Sequence, residues 1–202
     1  MKIYRVIILM AMTLWALSAQ AQHKSKLETE WGVQTGVGFW NYNVNGEKVD
    51  GRLGWQVGGS FALNWGAVAL QPEIHFVHHS VPLAPSPIDP KDDLLLKSNP
   101  IEIPILFSLR VLKPFRIYAG PMITAFNNCK YEGVDDDHDI DFDRVRSTIN
   151  YTAGVGVTLG GHFLIDARYN GTFHRQRLVG PMGNELRAQG HAVWVSFGYI
   201  FN

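Results

Sequence analysis

The chain has a single cysteine, Cys129, among 202 residues, so no internal disulfide holds it together. It has no excess of either charge. Its 18 Lys and Arg balance 18 Asp and Glu, which leaves no basic surplus of the kind nucleic acid selects. Beyond the first residues it also lacks an uninterrupted apolar run of spanning length, and a mean hydropathy of −0.04 excludes a helical membrane bundle. Cohesion must come from elsewhere, and a closed hydrogen-bonded sheet is one source.

What is present begins with the pattern of a secretory signal peptide. Lys2 and Arg5 flank a charged start, residues 6–17 are apolar, and Ala19, Gln20 and Ala21 form an A-x-A site. Cleavage after Ala21 predicts a signal peptide over 1–21 and one domain over 22–202. The new N-terminus would be Gln22; without a cysteine there, lipid anchoring is not expected. Processing removes Lys2 and Arg5, so 16 basic residues face 18 acidic ones and the formal charge becomes minus two.

The mature region alternates with a period of two, which turns successive side chains to opposite faces of a strand. Trp31, Val33, Val37 and Phe39 oppose Gly32, Gln34, Gly36 and Gly38. Leu53, Trp55, Val57, Phe61 and Leu63 oppose Arg52, Gly54, Gln56, Gly58 and Asn64, and Val68 to Phe76 repeats the pattern against Ala69, Gln71, Glu73 and His75. The strongest run sets Ile101, Ile103, Ile105, Phe107, Leu109 and Val111 against Glu102, Pro104, Leu106, Ser108 and Arg110. Four more runs follow, over 115–124, 148–159, 163–170 and 192–201. The total is eight, the even number expected of a bacterial barrel with one face toward lipid.

Connections obey the same architecture. Short links at Trp65 and Gly66, at Lys113 and Pro114, and at Gly160 and Gly161 alternate with long ones over 41–51, 78–99, 127–146 and 174–190. Short periplasmic turns and long external loops place both chain termini in the periplasm. Trp31, Trp65, Phe115, Phe163 and Phe201 would ring one interface, and Phe39, Tyr42, Phe76 and Phe173 the other. The fold expected is all-β: an eight-stranded antiparallel up-and-down transmembrane barrel of the outer membrane. The soluble alternative is a lipocalin-like barrel or a sandwich with its apolar parity turned inward. Small residues on the polar parity, suited to a narrow interior, favour the membrane form.

Leu70-Gln71-Pro72-Glu73-Ile74, then Ile101-Glu102-Ile103-Pro104-Ile105-Leu106, then Ile117-Tyr118-Ala119-Gly120-Pro121 resemble strand motifs of the PorT-like outer-membrane β-barrel family. The stretch from Phe163 to Tyr169 is similar to that family's penultimate strand. The resemblance implies an eight-stranded outer-membrane barrel and, for the family's namesake, a connection with a secretion and gliding machinery. One departure stands out: Phe201 is followed by Asn202, where barrel-assembly signals end on the aromatic residue.

Arg52, Glu73, His75, Glu102, Arg110, Arg116, Asp166 and Arg168 fall on the inward parity and would form a structural lumen network. Each buried charge needs a partner, because desolvation costs several kcal/mol per ion. Arg110 and Arg116 flank one short turn and are expected to share a carboxylate, Asp166 or Glu73. No catalytic, cofactor or metal site is expected. The acidic run over 135–143 has the oxygen ligands for calcium, but it lacks the glycine turn and distal glutamate of an EF-hand and reads as a solvated loop. Cys129 reads as a free thiol. A lipid-modifying enzyme would need serine, histidine and acid at the lipid-facing rim; His78, His79, His174 and His191 lie near external ends, but Ser108 and Ser196 are inward. The partners expected are outer-membrane lipid, the barrel-assembly machinery during insertion, and an envelope or secretion protein at the external loops. The function expected is a nonenzymatic structural or adaptor barrel, with a lipid-modifying enzyme, a secretion component and a diffusion channel as alternatives.

Overall fold

The computed structural model describes residues 27–44, 47–85, 93–112, 114–132, 148–173, 176–179 and 185–201. Nine strands follow in chain order: β1 (Glu28–Val44), β2 (Glu47–Trp65), β3 (Val68–Pro85), β4 (Asp93–Leu112), β5 (Phe115–Glu132), β6 (Thr148–Leu159), β7 (Phe163–Thr172), β8 (Gln176–Val179) and β9 (Glu185–Phe201). Each of β1 to β6 pairs antiparallel with its successor, and β9 pairs with both β7 and β1. That last pairing closes the sheet. The short β8 continues above β7 and pairs only with the outer end of β9, so nine segments make eight staves.

The two parities separate as an exterior and a lumen. Trp31, Phe107, Phe163 and Phe197 are about 60% exposed, while Gln34, Gln56, Gln71 and Asp166 are buried. A soluble barrel would reverse this, since each large apolar side chain left in water forgoes about 1.5–3 kcal/mol. Gly160 and Gly161 make the β6–β7 turn with φ of 59° and 80°, a backbone region that side chains disfavour. Trp65, Phe115, Phe163 and Phe201 are exposed near the turn end, and Phe39, Phe76 and Phe173 toward the other. The side chain of Tyr42 lies outside the described residues.

The long links are shorter than the alternation suggests. β1 and β2 run through most of 41–51, β3 and β4 reach Pro85 and Asp93, β5 continues to Glu132, and β8 and β9 occupy much of 174–190. Above the bilayer both faces of a strand are wet, so pairing persists where the apolar alternation has stopped. The acidic run over 135–143 and His174 lie outside the described residues, as does the side chain of Cys129, whose backbone pairs with Ser98.

Three prolines interrupt the ladders in one row. Between β2 and β3 the register holds from Ser60↔Glu73 to Leu63↔Leu70, but the two pairs beside Pro72 are missing. Pro104 does the same between β3 and β4, and Pro121 between β4 and β5. Each proline removes the N–H that its neighbour's carbonyl would accept, without shifting register. Pro72 pairs across with Ile105, and Pro104 with Met122, so the interruptions cluster at one level of the wall.

Candidate functional site

The lumen is crossed by side chains from opposite staves. β3 and β7 stand four staves apart in the eight-stave ring, yet Arg168 Nη1 donates to Glu73 Oε2 at 2.8 Å. Arg168 Nε also donates to Asp166 Oδ1 at 3.1 Å, and the Tyr118 hydroxyl donates to Asp166 Oδ2 at 2.6 Å. The arginine sits over the Tyr118 ring at 5.4 Å, so β3, β5 and β7 meet at one buried centre. Gln71 Nε2 holds Glu73 Oε1 at 2.6 Å, and His75 Nε2 lies 3.1 Å from Glu73 Oε2 and 2.7 Å from the Gln34 amide.

This closeness depends on small residues opposite. A Cβ on Gly58 would collide with the His75 ring, and one on Gly156 would come 2.7 Å from Arg116 Nε. Glycine on the inward parity therefore makes room for the polar side chains of the next stave.

Two further layers bracket the centre. Toward the turn end, Arg110 Nη2 donates to both oxygens of Glu30 at 2.6 and 2.8 Å and to Asn64 Oδ1 at 3.2 Å. Toward the loop end, Gln56 Nε2 donates to Ser196 Oγ at 2.9 Å and Asn170 Nδ2 to Glu102 Oε2 at 3.3 Å. Above these, Trp40 stacks on His79 with centroids 4.1 Å apart and meets the buried Trp194 edge-on at 6.2 Å.

The geometry brings Glu73, His75, Asp166 and Arg168 into direct contact, with Glu102 beside them through its strand pairing to His75. It does not give Arg110 and Arg116 a shared carboxylate. The two arginines pair across β4 and β5, but Arg110 turns to Glu30 of β1 and Arg116 donates from Nη1 to the Gln71 amide oxygen at 3.0 Å. Barrel closure puts β1 within reach of β4, a proximity that parity along one strand does not encode. Arg52 keeps the inward parity but is exposed, because it stands above Trp55↔His78, where β2 and β3 stop pairing. Gln34, Gln71, Tyr118 and Asn170 belong to the cluster although charge does not single them out, and Glu30, a carboxylate one residue ahead of the first alternating run, joins through Arg110. Their signal is position, since all lie on the inward parity.

The rim offers no assembled nucleophile among the described residues. Ser108 and Ser196 are buried in the lumen, His78 is held by the Asn99 side chain at 2.6 Å, and His79 lies beneath Trp40.

Ail of Yersinia pestis, solved in complex with the heparin analogue sucrose octasulfate, superposes with a TM-score of 0.54 at 13% identity, over 86% of this chain and 99% of Ail. Neisserial surface protein A gives a TM-score of 0.58 at 12% identity, over 84% of this chain and 96% of that one. At such identity these likenesses show the fold. None of the curated proteins compared matches the chain. The family described as outer membrane protein beta-barrel domain matches residues 7–201. With its apolar exterior and closed sheet, this places the protein in the bacterial outer membrane, and the chain belongs to the outer-membrane β-barrel domain family.

Proposed function

We propose that this barrel is nonenzymatic and serves as a structural element or an adaptor for other envelope proteins, with recognition carried by its external end. The observation that carries this reading is the Glu73–Arg168 bridge, which spans the lumen and is flanked by polar layers and an aromatic cap. A lumen filled this way suits neither solute passage nor substrate entry, since eight staves leave room only for the side chains themselves. Recognition then falls to the parts of the chain above the membrane, where loops are free of the packing constraint. In this reading residues 1–21 are removed on export and the turn end faces the periplasm.

Deleting 86–92 or 133–147 should leave a heat-modifiable barrel but abolish cross-linking to a partner in intact cells. Unchanged cross-linking of every partner would overturn the adaptor role. Hydrolysis or acyl transfer on lipid A by the purified protein would overturn the nonenzymatic one. A second reading, a component of a protein secretion system, rests on the PorT-like motifs at 70–74, 101–106 and 117–121. Those motifs carry the three wall prolines, so they report how the barrel is built before they report what it joins.

A further inference from the structure

The lipid face is not uniformly filled. Along one cross-strand row, Val33 of β1, Gly59 of β2 and Ile74 of β3 are direct neighbours, and all three are on the outward parity. Gly59 therefore leaves a dent where a side chain would stand. One step toward the turn end, Trp31 and Phe61 pack at 4.5 Å between centroids, with Phe201 beside Trp31 through the β1–β9 pairing. Pro72 stands opposite Phe61 at the interrupted part of the β2–β3 ladder. Together these residues line a groove of about 550 Å³, of the size of a small-molecule site and almost wholly apolar at its walls.

The groove needs no rearrangement to accept a guest. A Cβ on Gly59 would meet only the Gly32 carbonyl oxygen, at 3.6 Å, so the space above it is open. What lies against it follows from the protein's location: the groove opens on the bilayer side of an outer-membrane barrel, near the turn end, where Trp31 and Phe201 mark an interface. Hydrocarbon is the only bulk phase that wets this surface. A dent between aromatic walls contacts a chain on three sides where a convex wall touches it on one, and contact area sets the strength of apolar association.

We propose that the groove around Gly59 is a binding site for one acyl chain of a phospholipid from the periplasmic leaflet, held between Trp31, Phe61 and Ile74 and retained in preference to the surrounding annular lipid.

The test uses the full barrel reconstituted with phosphatidylethanolamine, extracted into mild detergent and weighed by native mass spectrometry. Wild type should retain one phospholipid per barrel, and Gly59→Leu, which fills the dent, should lose at least tenfold of that occupancy. Val155→Leu, on the lipid face of β6 away from the groove, should retain it. A parallel measurement needs no variant: a phosphatidylethanolamine carrying a photoreactive group on its acyl chain should label peptides of β1 to β3 well above those of β5 to β7. The proposal is overturned by a wild-type barrel that carries no lipid, by equal retention in Gly59→Leu, or by labelling spread evenly around the barrel.

Discussion

Arg168 is the residue on which the lumen turns, because it reaches Glu73 and Asp166 at once from a fully enclosed position. Replacing it with methionine keeps volume but leaves two buried carboxylates without their cation, a loss that costs about 3–5 kcal/mol when one partner of a buried pair is removed. Urea unfolding of Arg168→Met in lipid vesicles should show that drop, and adding Glu73→Gln should recover part of it; an unchanged midpoint would refute the central role. Glycines make the complementary case. Gly156→Val drives a branched side chain into Arg116 and should destabilise by about 1–3 kcal/mol, whereas Gly59→Ala meets nothing closer than 3.6 Å and should be near neutral. Both glycines look alike in the sequence. What separates them is parity: Gly156 faces a packed lumen and Gly59 faces lipid, and period two was enough to tell the sides apart. Which cation would meet which anion was not legible, since Arg110 with Glu30 and Arg168 with Glu73 join strands that are remote in sequence.

At the level of strands, alternation located all eight staves, because each must turn an apolar parity to lipid over its membrane-crossing part. It fell short at the outer parts of several, though not of β6, which spans 148–159 as the alternation does. β3 continues for several residues past His78 and β5 past Asn127, in stretches where no bilayer selects one face. The wall prolines were visible as motif residues, but their effect was not, because proline's missing N–H matters only relative to a neighbour's register. Pro72→Ala should restore a bond from the new amide at position 72 to the Phe61 carbonyl. A net gain of about 0.5–1.5 kcal/mol is expected, with slowed hydrogen exchange at that amide. Exchange as fast as an unbonded amide would show that the strands stay apart there for another reason. On the exterior, Val155→Arg puts a guanidinium on the lipid parity of β6, with an expected cost of about 2–4 kcal/mol if it lies at the bilayer midplane.

For the molecule as a whole, closure and filling act together. Eight staves set a lumen only as wide as its side chains, and two of this one's obstructions stand in series: Trp40, His79 and Trp194 toward the loop end, and the Glu73–Arg168 crossing below. Resistances in series predict an asymmetric mutational outcome. Wild-type protein in liposomes should give no more swelling with small sugars than empty vesicles do. Trp40→Ala with Trp194→Ala opens only the outer layer, and flux should stay near that baseline because the charged crossing remains. Adding Glu73→Ala and Arg168→Ala removes the second obstruction, and only then should flux rise, provided heat-modifiable mobility shows the barrel still folded. Swelling in the wild type would mean the lumen conducts and the adaptor reading is wrong. Swelling after the tryptophan changes alone would mean the aromatic cap is the sole barrier, and the polar cluster would then be a lining that lets solute past.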